Sequence, residues 1–376
     1  MMVVGMLPAL GGGLRALAAS GQAPRLVEGY FRPYVAAFGR VDYFTYAPER
    51  LDEFTRDPLL LERVHVLAPG RPTPRAVRAV TLTSTHATEL AACSVLRVFQ
   101  LTGAIPALIA RARFGVPYVV TYGFWYARLS RPGPKRWLKM ALERVALARA
   151  AAVIATTPEL AARARGFARR VELIPNGVDT AAFAPTSGQR ADDGRPARVV
   201  YVGRLSAEKN LPTLVDAAAR LRRPVRLVLV GGGPEEARLR AQARAAGVEV
   251  DFRGVVDQRA LPGVYREADA FVLASFTEGH PKALLEAMSS AVACDASSCD
   301  GNRSLIDEGV TGLLFDARRP DELAARLGRV LGDAVLAARL GAAARARVVE
   351  RYDLAAAVAR EIGLVRQVAR APQGQT

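Results

Sequence analysis

Cysteine and histidine are scarce in this chain: Cys93, Cys294 and Cys299 are its only thiols, and His65, His86 and His280 its only imidazoles. An odd number of cysteines without Cys-x-x-Cys spacing excludes a disulfide framework and a zinc cluster, and suggests a reducing, cytoplasmic setting. No apolar run reaches the roughly 18 residues that a membrane-spanning helix needs. The first ten residues lack a basic leader and break at Pro8, so they read as a buried strand rather than a signal peptide. There is no Asp-x-Asp pair of the kind that holds a divalent ion, so no metal is expected. Low-complexity sequence is also missing, and only Ala371–Thr376 reads as disordered.

What is present is a long, apolar and basic chain. Its 376 residues, 51% of them hydrophobic, suit two domains better than one core. The net charge of +16 is uneven: residues 1–190 hold 25 Lys/Arg against 12 Asp/Glu, and residues 191–376 hold 27 against 24. The amino-terminal half therefore suits a polyanion, an anionic lipid surface or an acidic acceptor. A general arginine bias accounts for the total but not for the asymmetry. Interleaved aromatics and recognition motifs are missing, so no nucleic-acid partner is expected.

Short β-branched runs alternate with Ala/Leu/Arg stretches of helical period, the pattern of parallel strands joined by crossover helices. Strands are expected at 2–7, 41–45, 63–67, 117–121, 152–155 and 171–174, then at 199–202, 225–230, 248–252, 270–273 and 294–297. The fold class is α/β, with two doubly wound, Rossmann-like parallel sheets. Residues 1–185 form an acceptor-side domain, 186–196 a Ser/Gly/Asp/Pro linker, and 197–350 a second domain. Residues 351–376 form a last helix, which can cross back to the first domain, and a tail. Ligands bind beyond the carboxyl ends of such strands, so chemistry is expected in a cleft that the domains face.

The second half holds the charged constellations. The segment 270–288 reads as strand, glycine turn and helix, with Glu278 and Glu286 bracketing the turn. If the helix begins near Pro281, the amides of Lys282, Ala283 and Leu284 form an anion site. Glu286, a turn deeper, can accept hydrogen bonds from the two hydroxyls of a ribose, and Glu278 can reach a sugar hydroxyl. Arg204 and Lys209 follow the first strand of this half and can clamp a pyrophosphate from two sides, neutralising charge as it leaves. Gly231–Gly233 reads as a tight turn only. Asn176, in the Asn-Gly turn at 176–177, lines the cleft or simply reverses the chain.

These segments resemble the retaining glycosyltransferases of the GT-B fold, family 4. The likeness rests on Ile-Pro-Asn-Gly-Val-Asp at 174–179, Val-Gly-Arg-Leu at 202–205 with Glu208-Lys209-Asn210, and Glu278-Gly279-x-Pro281 with Leu285-Glu286-Ala287-Met288. It continues in Gly301-Asn302-Arg303 and in Glu308-Gly309-x-Thr311-Gly312-Leu313-Leu314. The resemblance implies that Arg204 and Lys209 bind donor phosphates and that Glu286 binds the ribose. It also implies that Glu278 and the amides of Gly279, His280, Lys282, Ala283 and Leu284 place the donor sugar. Gly12 and Gly13, after the first strand, join the donor site, and Tyr122 stands on the sugar or acceptor side where many relatives carry His. No metal and no cofactor are implied beyond a nucleoside-diphosphate sugar as co-substrate.

The implied reaction moves a hexose to a glycan or lipid-linked glycan, as in bacterial cell-surface polysaccharide or lipopolysaccharide synthesis. The setting is cytoplasmic, on the inner face of the plasma membrane. A GT-B-like epimerase or phosphorylase and a non-catalytic sugar-nucleotide-binding subunit are the alternatives. Two more features need an explanation. Asp295 falls in an expected buried strand, where it is costly unless hydrogen-bonded or partly solvated. The basic segment Pro134–Leu147, with Trp137 near its start, either lies on an anionic bilayer or packs Leu138, Leu142 and Val145 into the core.

Overall fold

The computed structural model describes residues 2–125, 133–185 and 195–370. The linker expected at 186–196 falls almost wholly outside them. The chain forms two compact units, Met1–Pro175 with Ala355–Thr376, and Asn176–Leu354. The division falls at Pro175/Asn176 rather than at 186–196, because Val178 pairs with Asp353 and Phe183 lies in the second unit's core.

The first unit holds seven strands: β1 (Met2–Leu7), β2 (Gly39–Phe44), β3 (Val64–Leu67), β4 (Val95–Val98), β5 (Tyr118–Tyr122), β6 (Ala152–Ala155) and β7 (Val171–Leu173). Their order is β3-β2-β1-β4-β5-β6-β7, with every pair parallel. The last helix, Leu354–Arg370, belongs to this unit and buries Val358, Ile362, Leu364, Val365 and Val368. β4 has no counterpart among the strands expected from the sequence, because Arg97 interrupts its apolar run. That guanidinium is buried and meets Glu361 of the last helix through two 2.7 Å bonds, while Tyr34 donates to the same carboxylate at 2.5 Å. A charge in a central strand is stable only with such a partner, here 264 residues away.

The second unit holds β8 (Ala197–Val202), β9 (Val225–Val230), β10 (Glu249–Gly254), β11 (Ala270–Leu273), β12 (Cys294–Ser297) and β13 (Leu313–Phe315). Their order is β10-β9-β8-β11-β12-β13, again all parallel. Val, Leu and Phe on both faces are covered by helices, as parallel strands require. Asp295 lies in β12, one strand in from the edge, fully buried and with neither carboxylate oxygen partnered among the described residues. The hydrogen bond or partial solvation expected for it is not found. Burial instead pushes its pKa up to about 8, against the pull of Arg326, so the neutral form is favoured at pH 7.

Candidate functional site

The order of the second sheet reverses between β8 and β11, and a crevice opens at the carboxyl ends of strands at such a point. The loops leaving these two strands carry Arg204 and Lys209 on one side and Glu278 on the other. They are stitched together by the Phe276 amide, which donates to the Glu208 carbonyl at 2.9 Å, and by Asn210 Nδ2, which donates to the Ala274 carbonyl at 3.2 Å. Behind them Gly231, at φ 127°, packs its α-carbon on the Gly203 carbonyl, where any Cβ would collide. The tight turn expected at Gly231–Gly233 comes one step later, where the Glu236 amide donates to the Gly233 carbonyl at 3.3 Å; Gly231–Gly233 itself lies against Gly203–Leu205.

Lys209 Nζ lies 2.7 Å from Glu278 Oε1, which also accepts from Ser275 Oγ at 2.6 Å. Arg204 is 71% exposed and only grazes Glu208 at 3.4 Å, so its guanidinium can swing to an arriving anion at little cost. Burial pushes the Glu208 carboxyl up, but the Ser206 hydroxyl and the charges of Arg204 and Lys209 outweigh it and hold the group below its usual range.

Pro281 is extended and stands just before the helix Lys282–Ser289 rather than inside its first turn. Ala283 and Leu284 lie in that first turn, where an α-helix offers their amides no acceptor of its own. The preceding loop is braced from two directions. Asn176 Nδ2 donates to the His280 carbonyl at 2.8 Å, and Gly301 lies so close that a Cβ would sit 2.6 Å from the Glu278 carbonyl oxygen. Asn176 therefore fixes the loop rather than merely reversing the chain. The His280 ring is buried against Tyr352, and burial lowers its pKa to about 3; it is neutral, and its backbone is what it offers the site.

Glu286 is buried on this helix. Its Oε2 accepts from Tyr265 OH at 2.9 Å and its Oε1 from Gln258 Nε2 at 3.1 Å. A carboxylate offers about four lone-pair sites, so it can hold several donors at once. Burial and Glu286 both push the Tyr265 phenol well up, which keeps it a donor. The Gln258 carbonyl oxygen is buried without a partner among the described residues. Gln258, Tyr265 and Ser275 were not readable as site residues; only Ser275, three residues before Glu278, carries a positional hint.

The first unit's candidates are differently placed. Gly12 and Gly13 follow β1, but the Gly12 amide closes a turn onto Ala9 O at 2.8 Å. Beyond them the Leu14 and Arg15 amides both donate at 2.8 Å to the carboxylate of buried Glu49, which Thr45 also meets. Glu49 does there what a bound anion would do. Tyr122 does not present its phenol to an acceptor. It is buried, donates to Glu143 Oε1 at 3.0 Å and accepts from Arg163 Nε at 2.9 Å, with burial and Glu143 raising its pKa far above the usual phenol value.

Two doubly wound sheets, one with cations, carboxylates and helix amides gathered at its switch point, define an α/β protein of Rossmann-like architecture. Comparisons narrow this. The model "Glycosyl transferase 4-like domain" matches residues 20–177 and "Glycosyl transferases group 1" matches residues 186–347. The chain belongs to the group 1 glycosyltransferases of GT-B fold. It is 35% identical over 216 residues to the GDP-mannose-dependent alpha-(1-6)-phosphatidylinositol monomannoside mannosyltransferase of Mycobacterium tuberculosis, a match covering 52% of this chain and 56% of that one. It is 31% identical over 262 residues to the D-inositol 3-phosphate glycosyltransferase of Salinispora tropica, covering 60% and 54%. The chain thus spans about half the length of these curated relatives. Sucrose-phosphate synthase from Thermosynechococcus elongatus shares the fold at TM-score 0.80 and 23% identity, over 98% of this chain and 99% of that one. HepE of Anabaena in complex with UDP-glucose does so at 0.75 and 20%, over 98% and 100%.

Proposed function

We propose that this protein is a retaining, metal-independent glycosyltransferase that moves a hexose from a nucleoside-diphosphate sugar to a hydroxyl of a glycan or lipid-linked glycan. The observation that carries the reading is the gathering of Lys209, Glu278 and Glu286 around one helix start at the switch point. Relatives named for a GDP-sugar donor and a neighbour holding UDP-glucose support the donor class.

Arg204 and Lys209 take the diphosphate, and the first-turn amides of the Lys282 helix add neutral donors to it. Glu286, held by Tyr265 and Gln258, accepts the ribose hydroxyls. When phosphate draws the Lys209 ammonium, Glu278 is freed toward a hexose hydroxyl, with Ser275 still holding it. The bond from the anomeric carbon to the diphosphate oxygen breaks, and the acceptor oxygen bonds to that carbon on the same face. The acceptor proton passes to the departing phosphate, whose charge the two cations offset. The setting is the cytoplasmic face of the plasma membrane, in cell-surface polysaccharide or lipopolysaccharide synthesis. No described helix is long and apolar enough to cross a membrane.

The test is transfer from a panel of UDP-, GDP- and ADP-hexoses to lipid-linked acceptors in chelator-treated buffer, with the product anomer read by NMR. Glu278→Ala is expected to lower kcat about 100-fold or more. An inverted product, or transfer that needs added divalent metal, contradicts the reading.

A further inference from the structure

The helix Pro134–Arg149 resolves the choice left open by its sequence, and in an unusual direction. The residues it turns inward are Glu143, Ala146 and Leu147. Of the side chains expected in the core, Leu138 is 72% exposed and Val145 49%, Leu142 is half-buried, and Trp137 beside them is 71% exposed. At 3.6 residues per turn, Trp137, Ala141, Val145, Leu138 and Leu142 fall within an arc of about 140°, opposite the buried face. Apolar side chains scattered singly on a surface need no explanation, but a continuous helical stripe does.

The charges beside the stripe say what covers it. The helix carries Lys135, Arg136, Lys139, Arg144 and Arg149: Lys135 and Arg144 stand at opposite margins of the arc, Arg149 falls just inside it, and Arg136 and Lys139 lie toward the inward side. Its one acid, Glu143, is buried and tied to Arg163 at 2.8 Å and to Tyr122 at 3.0 Å, so it does not offset them. The anchoring is strong where the helix meets the sheet: the Arg163 guanidinium also stacks 4.0 Å from the centre of the Trp125 ring. The helix is thereby held with its inward face fixed and its Trp/Leu stripe outward.

We propose that this face is a docking surface for an anionic lipid bilayer, with Trp137 and Leu138 entering the headgroup boundary and the flanking cations meeting lipid phosphates. An apolar stripe edged by Lys and Arg with Trp near one end matches an interfacial helix, whose attraction combines buried apolar area with about fivefold per cation near an anionic surface. A soluble acidic protein would complement the cations but leave the tryptophan and leucine unexplained. The inference rests on the proposed function only for the membrane-borne acceptor that gives docking a use.

The test uses the full chain and vesicles of phosphatidylcholine with or without 30% phosphatidylglycerol. The wild type is expected to sediment with the anionic vesicles, to release at high salt, and to shift the emission of Trp137 to the blue. Trp137→Phe removes that shift while Trp125 continues to report. Trp137→Ser/Leu138→Ser is expected to bind at least tenfold more weakly, with Val310→Ser, an exposed apolar residue of the other unit, unchanged. Equal vesicle binding by wild type and double variant overturns the proposal. So does a stripe-dependent dimer in solution, which would assign the face to a second copy. Thermal shift with nucleotide sugars on the same samples separates the two readings: loss of donor binding everywhere sinks the transferase, and leaves the vesicle result standing.

Discussion

The loops after β1 and β8 occupy equivalent places in two sheets of the same winding, at the strand where the order reverses, yet they have been put to different uses. After β1 the helix amides are satisfied from within, by Glu49. After β8 the equivalent corner gathers exposed Arg204, Lys209 and, from the next strand, Glu278. One fold yields both, so topology marks where a ligand can bind, and the side chains decide whether one does.

Three changes sharpen this contrast. The largest effect is expected at Glu286, because Glu286→Ala removes the ribose acceptor and the acceptor of Gln258 Nε2, leaving Tyr265 OH only the Ala283 carbonyl at 3.2 Å. Donor kcat/KM should fall about 100-fold, with kcat changed less than KM; an unchanged KM would detach Glu286 from the donor. Next is Glu49→Ala, which removes the acceptor of the buried Leu14 amide and of the half-buried Arg15 amide and should destabilise the first unit by about 1–2 kcal/mol, seen as a lower unfolding midpoint. Nucleoside-diphosphate affinity should stay within threefold; a large loss there would make the two loops equal partners in phosphate binding.

The smallest and most pH-sensitive effect belongs to Asp295. Its carboxyl is raised to about 8 in the fold and lies near about 3.9 in the unfolded chain. Between those values the folded state holds a proton that the unfolded state has lost, so stability falls as pH rises from 4 to 8 and levels off above. Asp295→Val, which suits a buried parallel strand, should raise Tm at pH 8 by roughly 2–4 °C for each kcal/mol gained, and by less at pH 5. A gain independent of pH would mean that packing, not ionisation, is responsible.

Most of both sheets is legible because parallel strands are short β-branched runs between helical periods. What escaped has physical causes. β4 is broken by Arg97, whose stabilising partner Glu361 lies in the last helix, and β13 has only three residues. The charged loop residues were readable by spacing, since Arg204, Lys209 and Glu278 sit just beyond strand ends. Gln258 and Tyr265 were not, because they reach Glu286 only through tertiary packing. Tyr122 was misplaced for the converse reason: its position after an apolar run resembles a site residue, while Glu143 and Arg163, which claim its phenol, lie about 20 and 40 residues on.

The central claim is that the corner after β8 holds a sugar nucleotide by its diphosphate. Calorimetric titration of UDP, GDP and ADP into the wild type and into Arg204→Ala/Lys209→Ala tests it most directly. The account predicts that at least one nucleotide binds the wild type and that the double variant, still folded, binds it at least 100-fold more weakly. Undiminished affinity in the double variant would contradict it.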